Sequence, residues 1–367
     1  MEPLGVSPGL AFRHRKSLQV MLLLTHEVGN VRSQMTRSSS ATRPVVPLYH
    51  PTSILLVDDD QVSLTRMQHV LKDGFECLAF QRAADALAFI RSRPAAPPMP
   101  AACHDAGMEH IRDPAERQLH RQVSRFPRVF ADQSRFARAS VVITGEALQG
   151  MSGLDLLEAL RGTPISKLLV SGIAQAASAM QALDAGLADA IAPHEDIAEP
   201  LQRLQIDYFR RLMQPFEPAL THGDARFIRN PAFAVVFTRF VERYKVIEHC
   251  VLMQPPGILG LDASGNRHIL LVADDDYRQA SFEIALAEGA PPQLLRCLLH
   301  AKSLAVFPTI NGFYSQQVET CWSHYVWPSE CLGAAGWRWA VINKPDVVQR
   351  VCDQVASYAA HRQQRLN

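Results

Sequence analysis

The residues best placed to do chemistry in this chain are Asp58, Asp59 and Asp60, consecutive carboxylates that end the apolar run Ser53-Ile-Leu-Leu-Val57. Such a run reads as a buried strand, and its C-terminal end opens onto the crevice where α/β sheets hold ligands. Adjacent carboxylates suit a hard cation such as Mg²⁺, which takes oxygen ligands and keeps several waters. Asp58 and Asp59 are the metal candidates. The structural alternative is that they cap the helix that follows, since Asp is favoured near a helix N-terminus.

The elements that would position these acids alternate between short apolar runs and helical patterns. The first helix places Leu64, Met67 and Leu71 on one face. Residues 76–80 read as a strand and 83–91 as a helix with Ala86, Leu87 and Ile90 inward. Pro94-Ala-Ala-Pro-Pro-Met-Pro100 cannot continue a helix. It opens a charged insertion over about 94–139, with one amphipathic helix around 114–123. Strand patterns return at 139–144, 167–172 and 188–192, separated by Gly150-Met-Ser-Gly153 and helices over 154–160 and 176–185. A long helix with Ile197, Leu201, Leu204 and Tyr208 on one face closes the series. This alternation predicts right-handed crossovers and a parallel sheet: a flavodoxin-like, doubly wound α/β domain over 51–213.

The last third reads differently. Residues 214–245 read as a connecting helical segment and 246–367 as a smaller α+β module. Strands at 251–254, 258–261 and 269–272 flank the turn Asp262-Ala-Ser-Gly-Asn266, helices follow at 277–288 and 292–302, and a strand at 337–342 precedes a final helix over 345–362. The likeness of Ile269-Leu-Leu-Val-Ala-Asp-Asp-Asp276 to Ile54-Leu-Leu-Val-Asp-Asp-Asp60 reads as a hairpin strand with a polar exit, not a duplication. Residues 1–50 read as a disordered leader, with the polar stretch 37–44 in it. The apolar stretch 18–25 after Arg13, His14, Arg15 and Lys16 imitates a signal peptide, but its core is short and its cleavage site poor.

Composition narrows the function. The chain has 367 residues, 47% hydrophobic, with a formal charge of +1, which argues against a broad nucleic-acid surface. The Arg-rich stretch 117–138, which includes Asp132, reads as a solvated face. Seven cysteines without a C-x-x-C pair imply reduced thiols and a cytoplasmic protein. No apolar run reaches membrane length. Cys103, His104 and His110, and Cys321-x-x-His324, fit no zinc spacing. No phosphate-binding loop, Gly-x-Ser-x-Gly or helix-turn-helix pattern is present.

Over about residues 52–204 the sequence resembles the receiver domain of two-component response regulators. That resemblance implies transfer of a phosphoryl group from a histidine kinase to an aspartate, with two acids on Mg²⁺, a hydroxyl switch and a lysine. Asp58 and Asp59 match the metal acids, Ser171 in Leu168-Leu-Val-Ser-Gly172 matches the switch, and Gly150-Met-Ser-Gly153 matches the corner after the acceptor. Counted back from that corner, the acceptor position is Gly145, and the lysine position in Ile191-Ala-Pro193 is Ala192. Glu146, one residue on, is a candidate acidic substitute. A narrower group of bacterial response regulators resembles the chain in its insertion, in Ala185-Gly-Leu187, and in a C-terminal module with Leu261-Asp-Ala-Ser-Gly265 and Ala290-Pro-Pro292.

The expectation is therefore a degenerate receiver, or pseudo-receiver, that acts in a bacterial phosphorelay by protein–protein contact and not as an enzyme. Its expected partner is a histidine kinase or another regulator, met by the face over 171–201. No nucleic acid or membrane is expected as a partner, the oligomeric state is open, and the one cofactor to consider is weakly held or vestigial Mg²⁺. Two alternatives stand beside it: a phosphorylatable regulator with a shifted acceptor at Glu146 or Asp155, and a ligand-sensing or enzymatic C-terminal module.

Overall fold

In the computed structural model the strand Ser53–Val57 is buried along its whole length, and its alternate side chains divide between two cores. Leu55 and Val57 join the core that holds Ala83, Ala86 and Leu87, while Ile54 and Leu56 join Leu64, Met67 and Leu71. Period-two alternation inside a continuous apolar run is what a strand covered on both faces requires. The structure describes residues 45–366 apart from 73–74, 94–112, 173–174, 222–224, 308, 311–312, 315–321, 334–335 and 344. Cys103, His104, His110 and Cys321 lie outside the described residues, as does the leader up to residue 44.

The chain enters through a two-residue strand, β1 (Leu48–Tyr49). The parallel sheet is built from β2 (Ser53–Val57), β3 (Glu76–Phe80), β4 (Ala139–Gly145), β5 (Ser166–Val170) and β6 (Ala190–Ala192). Their order is β3-β2-β4-β5-β6, the flavodoxin-like arrangement that the alternation predicted. The helices α1 (Gln61–Leu71), α2 (Ala83–Arg91), α3 (Pro114–Val123), α4 (Gly153–Ala159), α5 (Ala176–Asp184) and α6 (Ala198–Met213) fall close to the expected ranges. On α6, Leu201, Leu204 and Tyr208 are buried as their spacing required, together with Ile197 just before it.

A second, six-stranded antiparallel sheet forms the core of the α+β domain. After the short α7 (Glu217–Thr221) and α8 (Pro231–Tyr244) come β7 (Glu248–Leu252), β8 (Gly257–Leu261) and β9 (Arg267–Ala273). Helices α9 (Asp275–Ala287) and α10 (Pro292–Leu299) follow, then the short strands β10 (Ser303–Ala305), β11 (Thr309–Ile310), β12 (Phe313–Tyr314), β13 (Val326–Pro328) and β14 (Glu330–Cys331). The chain ends with β15 (Arg338–Ile342), α11 (Pro345–Val351) and α12 (Tyr358–Leu366). The sheet order is β1-β7-β8-β9-β15-β14. β9 is thus a hairpin strand, and Asp274 caps α9 by accepting the Tyr277 N–H.

Four expectations are corrected here. The leader does not extend to residue 50: Val46 and Leu48 are buried, and β1 pairs antiparallel with β7, Leu48 opposite Cys250. Residues 214–245 are not a mere connector, because α8 sets Phe233, Phe237 and Phe240 into the core of the second sheet. Gly260 on β8 has no room for a side chain; a Cβ there would lie 2.8 Å from the Phe240 ring. The final helix is two helices, since residues 352–357 run irregularly between α11 and α12.

The fourth correction concerns the Arg-rich insertion, which is not a solvated face throughout. Two short 3-10 turns, Phe126–Ala131 and Gln133–Ala137, bury Phe126, Phe130, Phe136 and Arg135. The Arg135 guanidinium donates through Nε and Nη2 to Glu248 of β7 at 2.7 and 3.0 Å. It also donates through Nη1 to the carbonyls of Phe130 and Asp132, and through Nη2 to that of Ala356. All five donors of the planar fork are thereby used. Arg135 and Glu248 are both fully buried, a placement tolerable only with partners on every side. Burial pushes the Glu248 carboxyl up, while the neighbouring guanidinium opposes the shift.

Candidate functional site

β2 and β4 are neighbours, with Val57 opposite Thr144, so their exits deliver Asp58 and Gly145 side by side. Asp58 is 8% exposed and its Oδ1 accepts the Asp60 N–H at 2.9 Å. Burial raises its carboxyl above the ordinary range; the Asp60 N–H and His194 pull it back, and Asp59 and Asp60 add to the rise. His194 Nε2 lies 3.8 Å from Asp58 Oδ2. A Cβ built on Gly145 would lie 3.7 Å from that same oxygen. The position beside Asp58 is therefore open to a side chain, and this sequence supplies none.

The other two acids are differently engaged. Asp59 Oδ2 accepts the Gln149 N–H at 3.1 Å, which ties the end of β2 to the loop after β4. Asp60 is the N-cap of α1, accepting from the Val62 and Ser63 N–H groups and from the Ser63 hydroxyl. Those bonds hold the Asp60 carboxyl below its usual range. The capping role considered for Asp58 and Asp59 thus belongs to Asp60, which precedes the helix with the extended backbone that a cap needs.

The corner after Gly145 is tight. Gly153 donates its N–H to the Glu146 carbonyl, and a Cβ on Gly153 would sit 1.8 Å from the Gly145 oxygen. Only glycine permits that approach. Gly150 turns the chain with φ +84°, in the left-handed region. Ser152 and Asp155 then form a reciprocal capping box on α4. That engagement gives Asp155 a structural role at the start of α4.

Ser171 follows β5, one strand over from β4, as its switch-like match required. Its N–H donates to the Ala192 carbonyl and its hydroxyl to the Gly172 carbonyl. Ala192 ends β6, so the lysine position carries a methyl group. Lys167 does not replace it: it lies opposite Val142, three residues short of the pair that brings Gly145 against Val170. Glu146 does not turn to the Asp58 carboxylate for a partner; its Oε2 accepts from the Ser178 hydroxyl on α5 at 2.8 Å.

Two residues escaped sequence reasoning. His194 directly follows Pro193 beyond the last strand, and its ionisable character at a strand exit was the available signal. Ser178 gave none, being one of several small residues on α5. For a cation, Asp58 and Asp59 offer two carboxylates where a full receiver offers three, and both oxygens nearest the gap already face other groups. Among the described residues no cluster of three or more His, Cys, Asp or Glu is arranged to hold a metal. Asp58 and Asp59 supply one carboxylate fewer than the receiver pattern, a sparser donor set for Mg²⁺.

No protein-family model and no curated protein matches the chain. Among solved structures, the response regulator LqsR of Legionella pneumophila is similar over 89% of this chain and 98% of its own, with a TM-score of 0.67 and 20% identity. A CheY-like receiver domain protein of Methanospirillum hungatei JF-1 matches 44% of this chain and 98% of its own, with 21% identity and a TM-score of 0.28. The signal receiver domain of an HD domain-containing protein of Pseudomonas fluorescens Pf-5 matches 47% and 96%, with 17% identity and a TM-score of 0.29. At these identities the likeness speaks to fold, and only the first TM-score carries weight. Together with the strand order, it shows a receiver-like fold, continuous with an α+β second domain.

Proposed function

We propose that this chain is an atypical response regulator of a bacterial phosphorelay whose receiver-like domain signals by protein contact without accepting a phosphoryl group. The observation that carries this reading is Gly145, which brings no carboxylate to the place 3.7 Å from Asp58 Oδ2 where a side chain would begin. Ala192 at the lysine position supports it, because a phosphoryl group there would lack its cationic partner. Mg²⁺ is not required by this function and the chain is not an enzyme. Absence of a helix long and apolar enough to cross a membrane among the described residues is compatible with a cytoplasmic site of action.

The partner is a histidine kinase or another regulator, and it docks on the face of α5, β6 and the start of α6. Met180 is 44% exposed there. In this reading the Glu146–Ser178 bond fixes α5 to the β4 corner with a built-in carboxylate, so one state of that face persists without phosphorylation. The test is incubation of the full chain with Mg²⁺ and a small-molecule phosphodonor, read by intact mass. No gain of a phosphoryl group is expected. A gain that is lost at high pH, as an acyl phosphate would be, defeats the proposal.

A further inference from the structure

Three residues after the saturated Arg135, Arg138 presents the opposite case. It leads into β4 and is 4% exposed. Its Nη2 donates to Asp132 Oδ2 at 2.9 Å, but Nε and Nη1 are buried without a hydrogen-bond partner. Among the described residues no other side chain leaves two buried donor nitrogens unmatched. Buried donors of a charged group are expensive to leave unmet, so the accounting at Arg138 is incomplete.

Arg138 is also one of the residues lining a crevice whose other walls include Phe89, Ile90, Arg93, Ile165 and Tyr208. Its volume of ≈ 20 Å³ accommodates one water-sized group. Arg93 contributes a second cation, stacked 3.7 Å over the Phe89 ring. Asp132 is the carboxylate paired with Arg138, and it also accepts the Ser134 N–H. Two guanidiniums against one carboxylate leave a positive excess. The Tyr208 hydroxyl is the one side-chain acceptor on these walls. A water there must place two hydrogens as well as accept, whereas an acceptor-only ligand has no such need.

We propose that this crevice binds a single halide-sized monovalent anion, held by Arg138 and Arg93. The site lies at the N-terminal end of β4, at the opposite end of the parallel strands from Asp58, and it is independent of the phosphotransfer question. A bound anion there would join the end of the insertion to α6 and to the residues after α2.

The experiment is ³⁵Cl NMR line width of the full chain in chloride, with fluoride or bromide added and ionic strength held constant by a bulky sulfonate buffer. Excess broadening that the competing halide displaces is expected. Arg93→Met, at an exposed position, keeps the fold and should weaken chloride binding several-fold; Arg138→Met should abolish it. Absence of displaceable broadening would mean that water alone meets the Arg138 donors and would overturn the assignment. Broadening of equal strength in Arg93→Met would place the ion elsewhere and overturn it as well.

Discussion

Before β4 begins, Arg135 uses all five of its N–H groups, bridging the insertion to β7 and to the segment before α12. Where β4 ends, Gly145 brings no side chain to Asp58, and the His194 imidazole stands 3.8 Å from its carboxylate. One strand therefore joins a densely satisfied polar seam to a thinned-out site. Asp58, at a strand exit, keeps one backbone N–H as its partner, and burial is met there by a raised carboxyl pKa. Loss of a partner at the seam would strand a charge in the core. The contrast indicates which end of the strand the fold depends on and which end it can do without.

The largest effect should come from breaking the seam. Glu248→Ala leaves the Arg135 guanidinium buried and half unpaired, and should cost about 3–5 kcal/mol in urea unfolding. A loss below about 1 kcal/mol, the scale of an exposed pair, would mean that the seam relaxes and that the comparison is misplaced.

Next comes His50, which lies between β1 and β2, fully buried against Phe209, with Nδ1 on the Pro51 carbonyl. Burial lowers its pKa from 6.5 to about 3. The folded chain thus holds the neutral ring while the unfolded chain takes up a proton below pH 6.5. Its contribution to stability is complete above that value and declines as pH falls toward 3. The slope is about 1.4 kcal/mol per pH unit. His50→Gln should flatten the acid limb of a stability-versus-pH curve, and an unchanged limb would show that His50 becomes solvated before unfolding.

Much of this architecture was legible in the sequence. The alternation of period-two and helical patterns gave the parallel sheet, and Leu64, Met67 and Leu71 went where their spacing sent them. The corner Gly150-Met-Ser-Gly153 located Gly145. What was hidden was hidden for physical reasons. β1 is two residues long and pairs with a strand about two hundred residues later, so no local pattern marks it. Arg135 looked like any surface arginine, because the partner that permits its burial, Glu248, is remote in the chain. His194 could be noticed by type, but its approach to Asp58 depends on β6, which lies three strands along the sheet from β2.

The site itself should respond weakly and in the opposite direction to the seam. Asp58 has its pKa raised by burial, so whatever its carboxyl contributes is greatest when protonated and is lost as pH rises through the folded value. At neutral pH the ionised form weighs against the fold. Asp58→Asn should therefore stabilise the protein slightly, by less than about 1 kcal/mol, with the gain disappearing in acid. A fall in stability at neutral pH would show that the carboxylate has a partner worth more than its burial costs.

Gly145 offers the finest test, because its two replacements separate space from charge. A Cβ there meets Asp58 Oδ2 at 3.7 Å and Leu148 Cδ2 at 3.9 Å, both ordinary contacts. Gly145→Ala should thus change stability by no more than about 0.5 kcal/mol. Gly145→Asp adds a carboxylate beside a partly buried one, and like charges at that separation raise each other's pKa. Without Mg²⁺ it should be less stable than Gly145→Ala. With Mg²⁺ the order should reverse, because three carboxylates now converge where the native chain has two. The reading is the midpoint of thermal unfolding with and without Mg²⁺ for both variants. If Mg²⁺ shifts the native chain as much as Gly145→Asp, the missing carboxylate is not what weakens the site, and Asp58 and Asp59 suffice for the ion.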